Sequence, residues 1–225
     1  MPGYIIHLTA AQMLLAKYTR KMDANAFLFG NLLPDTNLNK AVSHFRSPKR
    51  YGKRIEYPEL EPFTQKYAHL LSANDDSCFG YYYHLYVDRM FFKEYLPRVV
   101  TFLGEDGKEN DTIEGVKWAY VKKSGKTVLI ETFLSEEYYY GDFTKMNNYL
   151  IERYNIPMEL DLNVKNPGIE EVDYSDIAVV LKKLQGYLEM SKNELLELNV
   201  FDIEDLLEFL EEIADKWIGI KEENR

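Results

Sequence analysis

The sequence predicts a mainly α protein: a single-domain helical bundle with a small β-hairpin insertion. Three observations predict it. The stretch GYYYHLYVDRMFFKEYLP, residues 80–97, is apolar or aromatic on every side, the mark of a helix buried in a core. Most of the other segments repeat apolar residues at helical spacing. Only two runs are β-prone, 116–121 and 127–133, and they flank the turn-like KKSGK. A chain of 225 residues is long enough to bury one sizeable core and is read as one domain, 1–225.

Residues 4–21, YIIHLTAAQMLLAKYTRK, read as a helix with an apolar stripe of Ile5, Leu8, Met13, Leu14 and Leu15, and with basic residues suited to its C-terminus. Residues 23–33 read as a second helix with Asp23 as N-cap, ended by Pro34. The segment that follows, to Arg54, is polar, basic and rich in turn formers. A third helix is expected over 61–73. The buried helix over 79–96 is the fourth, opened by Gly80 and closed by Pro97. These 96 residues hold every histidine, and they form the metal-site half of the chain. Residues 104–135 comprise a charged loop and the hairpin, although 109–121 are equally compatible with a helix. Residues 142–155 read as helical, with Met146, Leu150 and Tyr154 on one stripe. Helices over 175–190 and 202–218 close the chain, and the tail KEENR reads as frayed.

Composition narrows the function classes. The formal net charge is −10, but residues 1–60 carry a net +5 and the remainder −15. That split argues against a nucleic-acid coat, which needs a broad basic face, and leaves room for one small anionic ligand near the N-terminal part. No basic region leads into an apolar run at the start, so no signal peptide is read, and no run of about 18 apolar residues offers a membrane span. The single Cys78 excludes an internal disulfide and fits a cytoplasmic protein.

His84 and Asp88 break the apolar pattern of the central helix. They stand four apart, hence on one face. A buried carboxylate costs several kcal/mol, roughly, unless paired or bound to a metal. The bland alternative is a hydrogen-bonded core pair. With His7, Asp35 and His44 they form a set of imidazoles and carboxylates suited to a divalent metal. Asp35 alone also fits a turn former, His44 a solvated loop residue and His7 a packed one. His69 has no place in the set and reads as structural. Beyond His44 runs a basic stretch, Arg46, Lys49, Arg50, Lys53 and Arg54, whose alternatives are phosphate steering and a solvated mobile loop. Tyr81, one turn before His84, is either a substrate contact or core packing.

The ordered pieces His7, FGNLLPD ending in Asp35, SHF with His44, and GYYYHLYVD with His84 and Asp88 resemble the zinc-dependent phospholipase C family over about residues 3–96. The resemblance implies a helical fold of the phospholipase C/nuclease type. It also implies one metal site at Asp35, His44, His84 and Asp88, and a second at His7 and Asp88 with the chain's amino terminus, Asp88 bridging. The family's third site needs histidines beyond position 84, and this chain has none there.

The expected function is therefore a metal-dependent hydrolase of phosphate esters, phosphodiester or phospholipid-like, acting through a metal-activated water. Zinc, one or two ions, is the first choice, with manganese or iron as options. Asp35 and Asp88 are the expected catalytic carboxylates, Asp35 as ligand or general base, with Arg46, Lys49, Arg50 and Tyr81 on the substrate side. The alternative is a non-catalytic metal-binding or interaction protein on the same scaffold.

Overall fold

The computed structural model describes residues 3–189 and 197–223. In chain order the helices are α1 (Tyr4–Lys17), α2 (Ala24–Leu32), α3 (Lys40–Ser43), α4 (Leu60–Lys66), α5 (Ala68–Ser72), α6 (Asp76–Met90), α7 (Leu96–Val99), α8 (Ile130–Phe133), α9 (Tyr139–Arg153), α10 (Ile177–Glu189) and α11 (Ile203–Glu223). The strands β1 (Val100–Leu103), β2 (Trp118–Val121) and β3 (Lys126–Leu129) form an antiparallel sheet in the order β1-β2-β3. The architecture is a helical bundle with this small open sheet beside it.

Helix α6 is the axle. Nearly every residue from Ser77 to Asp88 is buried, and α1, α2, α4, α5 and α11 all pack on it. Its N-cap is Asp75, whose carboxylate accepts from the Cys78 N–H, so the helix opens a turn before Gly80. Gly80 serves a different purpose. A Cβ there would lie 1.9 Å from the Phe27 carbonyl oxygen, and one on Gly30 would lie 1.9 Å from that of Ser77. The two glycines let the backbones of α2 and α6 touch.

The far end of α6 also departs from expectation. The helix does not stop at Pro97. It widens into a π-helical turn over Phe91–Tyr95 and continues through Pro97 to Val99. Proline removes an N–H and crowds the preceding turn, and a wide turn before it relieves both conflicts. Trp217 from α11 closes the opposite flank, its ring 4.6 Å from that of Tyr82 and 4.7 Å from that of Tyr86.

The hairpin forms as expected with Trp118 opposite Leu129 and Val121 opposite Lys126, and a third strand joins it, Val100 opposite Val121. Residues 130–133, expected as strand, turn into α8 instead, because Ile130 and Phe133 reach the core together only at helical spacing. The helix expected over 61–73 is broken at Tyr67 into α4 and α5. Asp23 caps α2 by accepting from the Ala26 N–H. The polar segment after Pro34 holds the short helix α3 and a 3-10 turn, Pro48–Arg50. Helices α9, α10 and α11 stand where the closing helices were expected. The last residue of the 175–190 expectation and the end of the tail lie outside the described residues.

Candidate metal centre

Four elements deliver five side chains to one point. His7 comes from the first turn of α1, and Asp35 from the 3-10 turn that continues α2. His44 comes from the C-cap of α3, and His84 and Asp88 from the middle of α6. All five are buried; Asp35, 8% exposed, lies nearest solvent.

Asp88 reaches all three imidazoles. Its Oδ1 lies 3.2 Å from His7 Nε2, and its Oδ2 lies 3.5 Å from His44 Nε2 and 3.9 Å from His84 Nε2. Asp35 Oδ1 is 3.6 Å from His44 Nε2. The Nε2 atoms of His44 and His84 face each other at 3.2 Å, and the His7 ring stacks on that of His84 with centroids 3.7 Å apart. Two groups therefore hold donor atoms within 4.8 Å of one another: His7, Asp35 and His84, and His44, His84 and Asp88. These are two His/Asp clusters positioned to chelate a divalent ion. In this geometry His84 belongs to both groups, whereas the sequence resemblance assigns the shared role to Asp88. The amino terminus, expected at a second site, lies outside the described residues.

The residues around the cluster fix its donors. The Asn31 carbonyl lies 2.7 Å from His84 Nδ1, so that nitrogen carries the proton and Nε2 presents its lone pair inward. Ser43 Oγ, 3.0 Å from His44 Nδ1, holds the second imidazole ring in place. Lys40 Nζ donates to both the carbonyl and, at 3.1 Å, the carboxylate of Asp35. Asn31, Ser43 and Lys40 were not singled out from sequence. Asn31 had a signal, an amide inside the apolar run AFLFGNLL, and Ser43 had its place beside His44.

Electrostatics prepares the donors in their binding forms. Burial, reinforced by His7, lowers the His84 pKa from 6.5 to about 3, so its imidazole is neutral at ordinary pH. Burial raises Asp88, but its contact with His7 and its electrostatic interactions with His7, His84 and His44 more than offset that and bring it to about 2. Asp35 is likewise raised by burial and then drawn well below its ordinary value by His44, His84 and Lys40. Both carboxylates are ionised.

The fit to a cation shows in what remains unsatisfied. Among the described residues, both ring nitrogens of His7 and Oδ1 of Asp88 are buried without an aligned hydrogen bond, although they approach to 3.2 Å. A divalent ion between lone pairs of this kind satisfies donors that nothing else satisfies.

The other candidates fall into place around this centre. Arg46 pairs with Glu56 at 3.1 Å. The Arg50 guanidinium lies over the Tyr57 ring, 4.1 Å from its centroid, and Lys49 is exposed. The basic segment is tied down, with bridges from Arg46 to Pro58 and from Lys53 to Thr112. Tyr81 is fully buried and its hydroxyl donates to the Ser43 carbonyl at 2.5 Å, so it holds the turn carrying His44 instead of facing a substrate. His69, read as structural, sits exposed on α5. No helix of the described residues is long and apolar enough to cross a membrane.

Comparison with known proteins finds no matching family model, curated protein or solved structure.

Proposed function

We propose that the chain is a divalent-metal-dependent hydrolase of phosphate esters. One observation carries the reading: three imidazoles and two ionised carboxylates converge, with the Nε2 atoms of His44 and His84 facing at 3.2 Å. His7, Asp35, His44, His84 and Asp88 would hold the ion or ions. The mixed nitrogen and oxygen donor set favours zinc over magnesium or calcium, with manganese or iron as the next choices. The ordered motifs over residues 3–96 that resemble the zinc-dependent phospholipases C support the same chemistry. Bound there, such an ion would supply Lewis acidity, lowering the pKa of a water from 15.7 toward ~7 and polarising a phosphoryl oxygen.

The chain's own residues do the rest. Asp88 and the inward-facing imidazoles fix the donor geometry. Asp35, nearest solvent, accepts a hydrogen bond from the attacking water and orients it. Its low pKa makes it an orienting acceptor and a poor proton store. Arg46, two residues beyond His44, would stabilise the phosphoryl oxygens that gain charge in the transition state by exchanging its Glu56 ion pair for them. A small soluble phosphate ester suits this arrangement, and the acidic character of residues 61–225 disfavours nucleic acid.

The burial of all five residues favours a second reading, a non-catalytic metal site that only holds the bundle together. Metal analysis and assay separate the two. Protein purified without a nickel column should contain bound divalent metal. It should hydrolyse at least one member of a panel of chromogenic phosphodiesters, phosphomonoesters and a short-chain phospholipid. Chelation should abolish that activity, zinc should restore it, and His84→Ala should lack it. Full metal loading with no hydrolysis would establish the structural reading, and activity indifferent to chelator would refute the metal mechanism.

A further inference from the structure

A cavity of about 330 Å³ is lined by Arg46 and by eleven residues that the chemistry above does not use, and by none of the five cluster residues. Two connections along the chain link it to the metal cluster. Phe92 in its wall stands one turn beyond Asp88 on the same helical run, and Arg46 stands two residues beyond His44.

The lining is mixed, with Glu56 and the apolar Leu96, Ile113, Phe133 and Leu134 beside cationic and aromatic residues. Its cations are Arg46, Lys53 and Arg54. Arg46 is neutralised by Glu56, and Lys53 by Asp111 at 2.9 Å. Arg54 has no ion pair among the described residues; its backbone N–H donates to the Asp111 carbonyl, and its guanidinium stands 5.9 Å from the Phe102 ring centroid. The cavity's aromatic rings include Phe92, Phe102, Tyr139 and Tyr140. Burial, then Tyr140 and Asp88, hold the Tyr139 hydroxyl well above its ordinary pKa, so it stays a hydrogen-bond donor.

We propose that this cavity is the substrate subsite of the hydrolase, taking the aryl or heteroaryl group of an anionic phosphate ester, with Arg54 as its anion contact and the Phe/Tyr wall as its stacking surface. The proposal rests on the reading above for its reaction and on the cavity for its specificity. A volume at the small end of ligand pockets suits one compact ring system and excludes a two-chain lipid. Planar aromatic groups gain from offset and edge contacts with Phe and Tyr walls that an alkyl chain does not make. A guanidinium held near a ring and lacking a carboxylate partner is ready for a phosphoryl oxygen.

The test is calorimetric binding of phenylphosphonate, methylphosphonate and hexylphosphonate to the metal-loaded protein, which presents one anion with three different arms. Phenylphosphonate is expected to bind at least about 10-fold more tightly than methylphosphonate, the scale of one well-packed aromatic contact. Tyr140→Ala, at a half-exposed position that leaves the core untouched, should shrink that ratio toward unity. Arg54→Gln should weaken all three arms about equally. Circular dichroism matching wild type confirms that both variants fold. Equal affinity for phenyl and methyl arms, tighter binding of the hexyl arm, or a phenyl preference unchanged in Tyr140→Ala would overturn the subsite. Hydrolysis of methyl esters without a phenyl preference would sink the subsite and leave the hydrolase standing. Tight, Arg54-dependent phenylphosphonate binding by a protein that cleaves no phosphate ester would do the reverse.

Discussion

At the scale of single residues, the centre depends on orientation as much as on donor identity. Ser43→Ala leaves all five donors in place but frees the His44 ring to turn, so metal affinity should fall about 10-fold, the lower end of what orienting partners contribute. Asp88→Asn keeps the shape but removes the charge reaching all three imidazoles, and should lower affinity by more than about 100-fold. Elemental analysis and competition with a chromogenic chelator read both changes. The metal-free protein should also be acid-sensitive in a defined window. Unfolded His84 takes up its proton near pH 6.5, whereas the folded residue takes it only near about 3. Between these values the unfolded state binds more protons, so stability falls as pH falls. Asp88, moved from 3.8 to about 2, adds to the loss only below about pH 4. Urea titrations of the metal-free protein from pH 7 to 4 should show a declining midpoint, and His84→Asn should flatten it.

At the scale of elements, the site is registered by the crossing of α2 and α6. The Asn31 carbonyl that orients His84 belongs to α2 and the 3-10 turn that carries Asp35 continues it, while His84 and Asp88 belong to α6. Gly80→Ala would force a Cβ against the Phe27 carbonyl at 1.9 Å, where backbone must move. A loss of about 3 kcal/mol is expected, together with weaker metal binding because the donors separate. Gly186→Ala in α10 is the matched control. Its Cβ meets nothing within 4 Å, and the change should stabilise by about 0.5–1 kcal/mol through helix propensity alone. Chemical denaturation of the two variants makes the comparison. Equal effects would show that the helix crossing is not as tight as the two glycines indicate.

At the scale of the whole molecule, an ion held by residues 7 to 88 ties α1, α2, α3 and α6 together and binds only the folded chain. With free metal at about 1,000 times the dissociation constant, that linkage contributes about 4 kcal/mol. For a chain of this length chelation should then lower the melting temperature by about 10 °C. Differential scanning calorimetry with and without chelator is the measurement, and a melting temperature unmoved by chelator would mean that the cluster holds no ion under those conditions.

The sequence by itself determined the helical class, the buried central helix, the Asp23 cap, the hairpin and the five candidate donors, because periodicity, caps and buried charge are properties of neighbouring residues. It put His84 and Asp88 on one face because four residues make about one turn of helix. Only the tertiary structure decided the rest. Gly80 looked like a helix start and is a helix crossing, since the reason for a missing Cβ lies on another element. Pro97 looked like a stop and is accommodated by a π-helical turn. Asp142, unremarkable in sequence, is fully buried and accepts from the N–H groups of Asn199, Val200 and Phe201, which anchors α9 to the approach to α11. The partners that orient the imidazoles, and the cavity lined by Arg54 and aromatic rings, join positions far apart along the chain. Their spacing is set by how helices and strands pack, and a one-dimensional pattern carries no record of that packing.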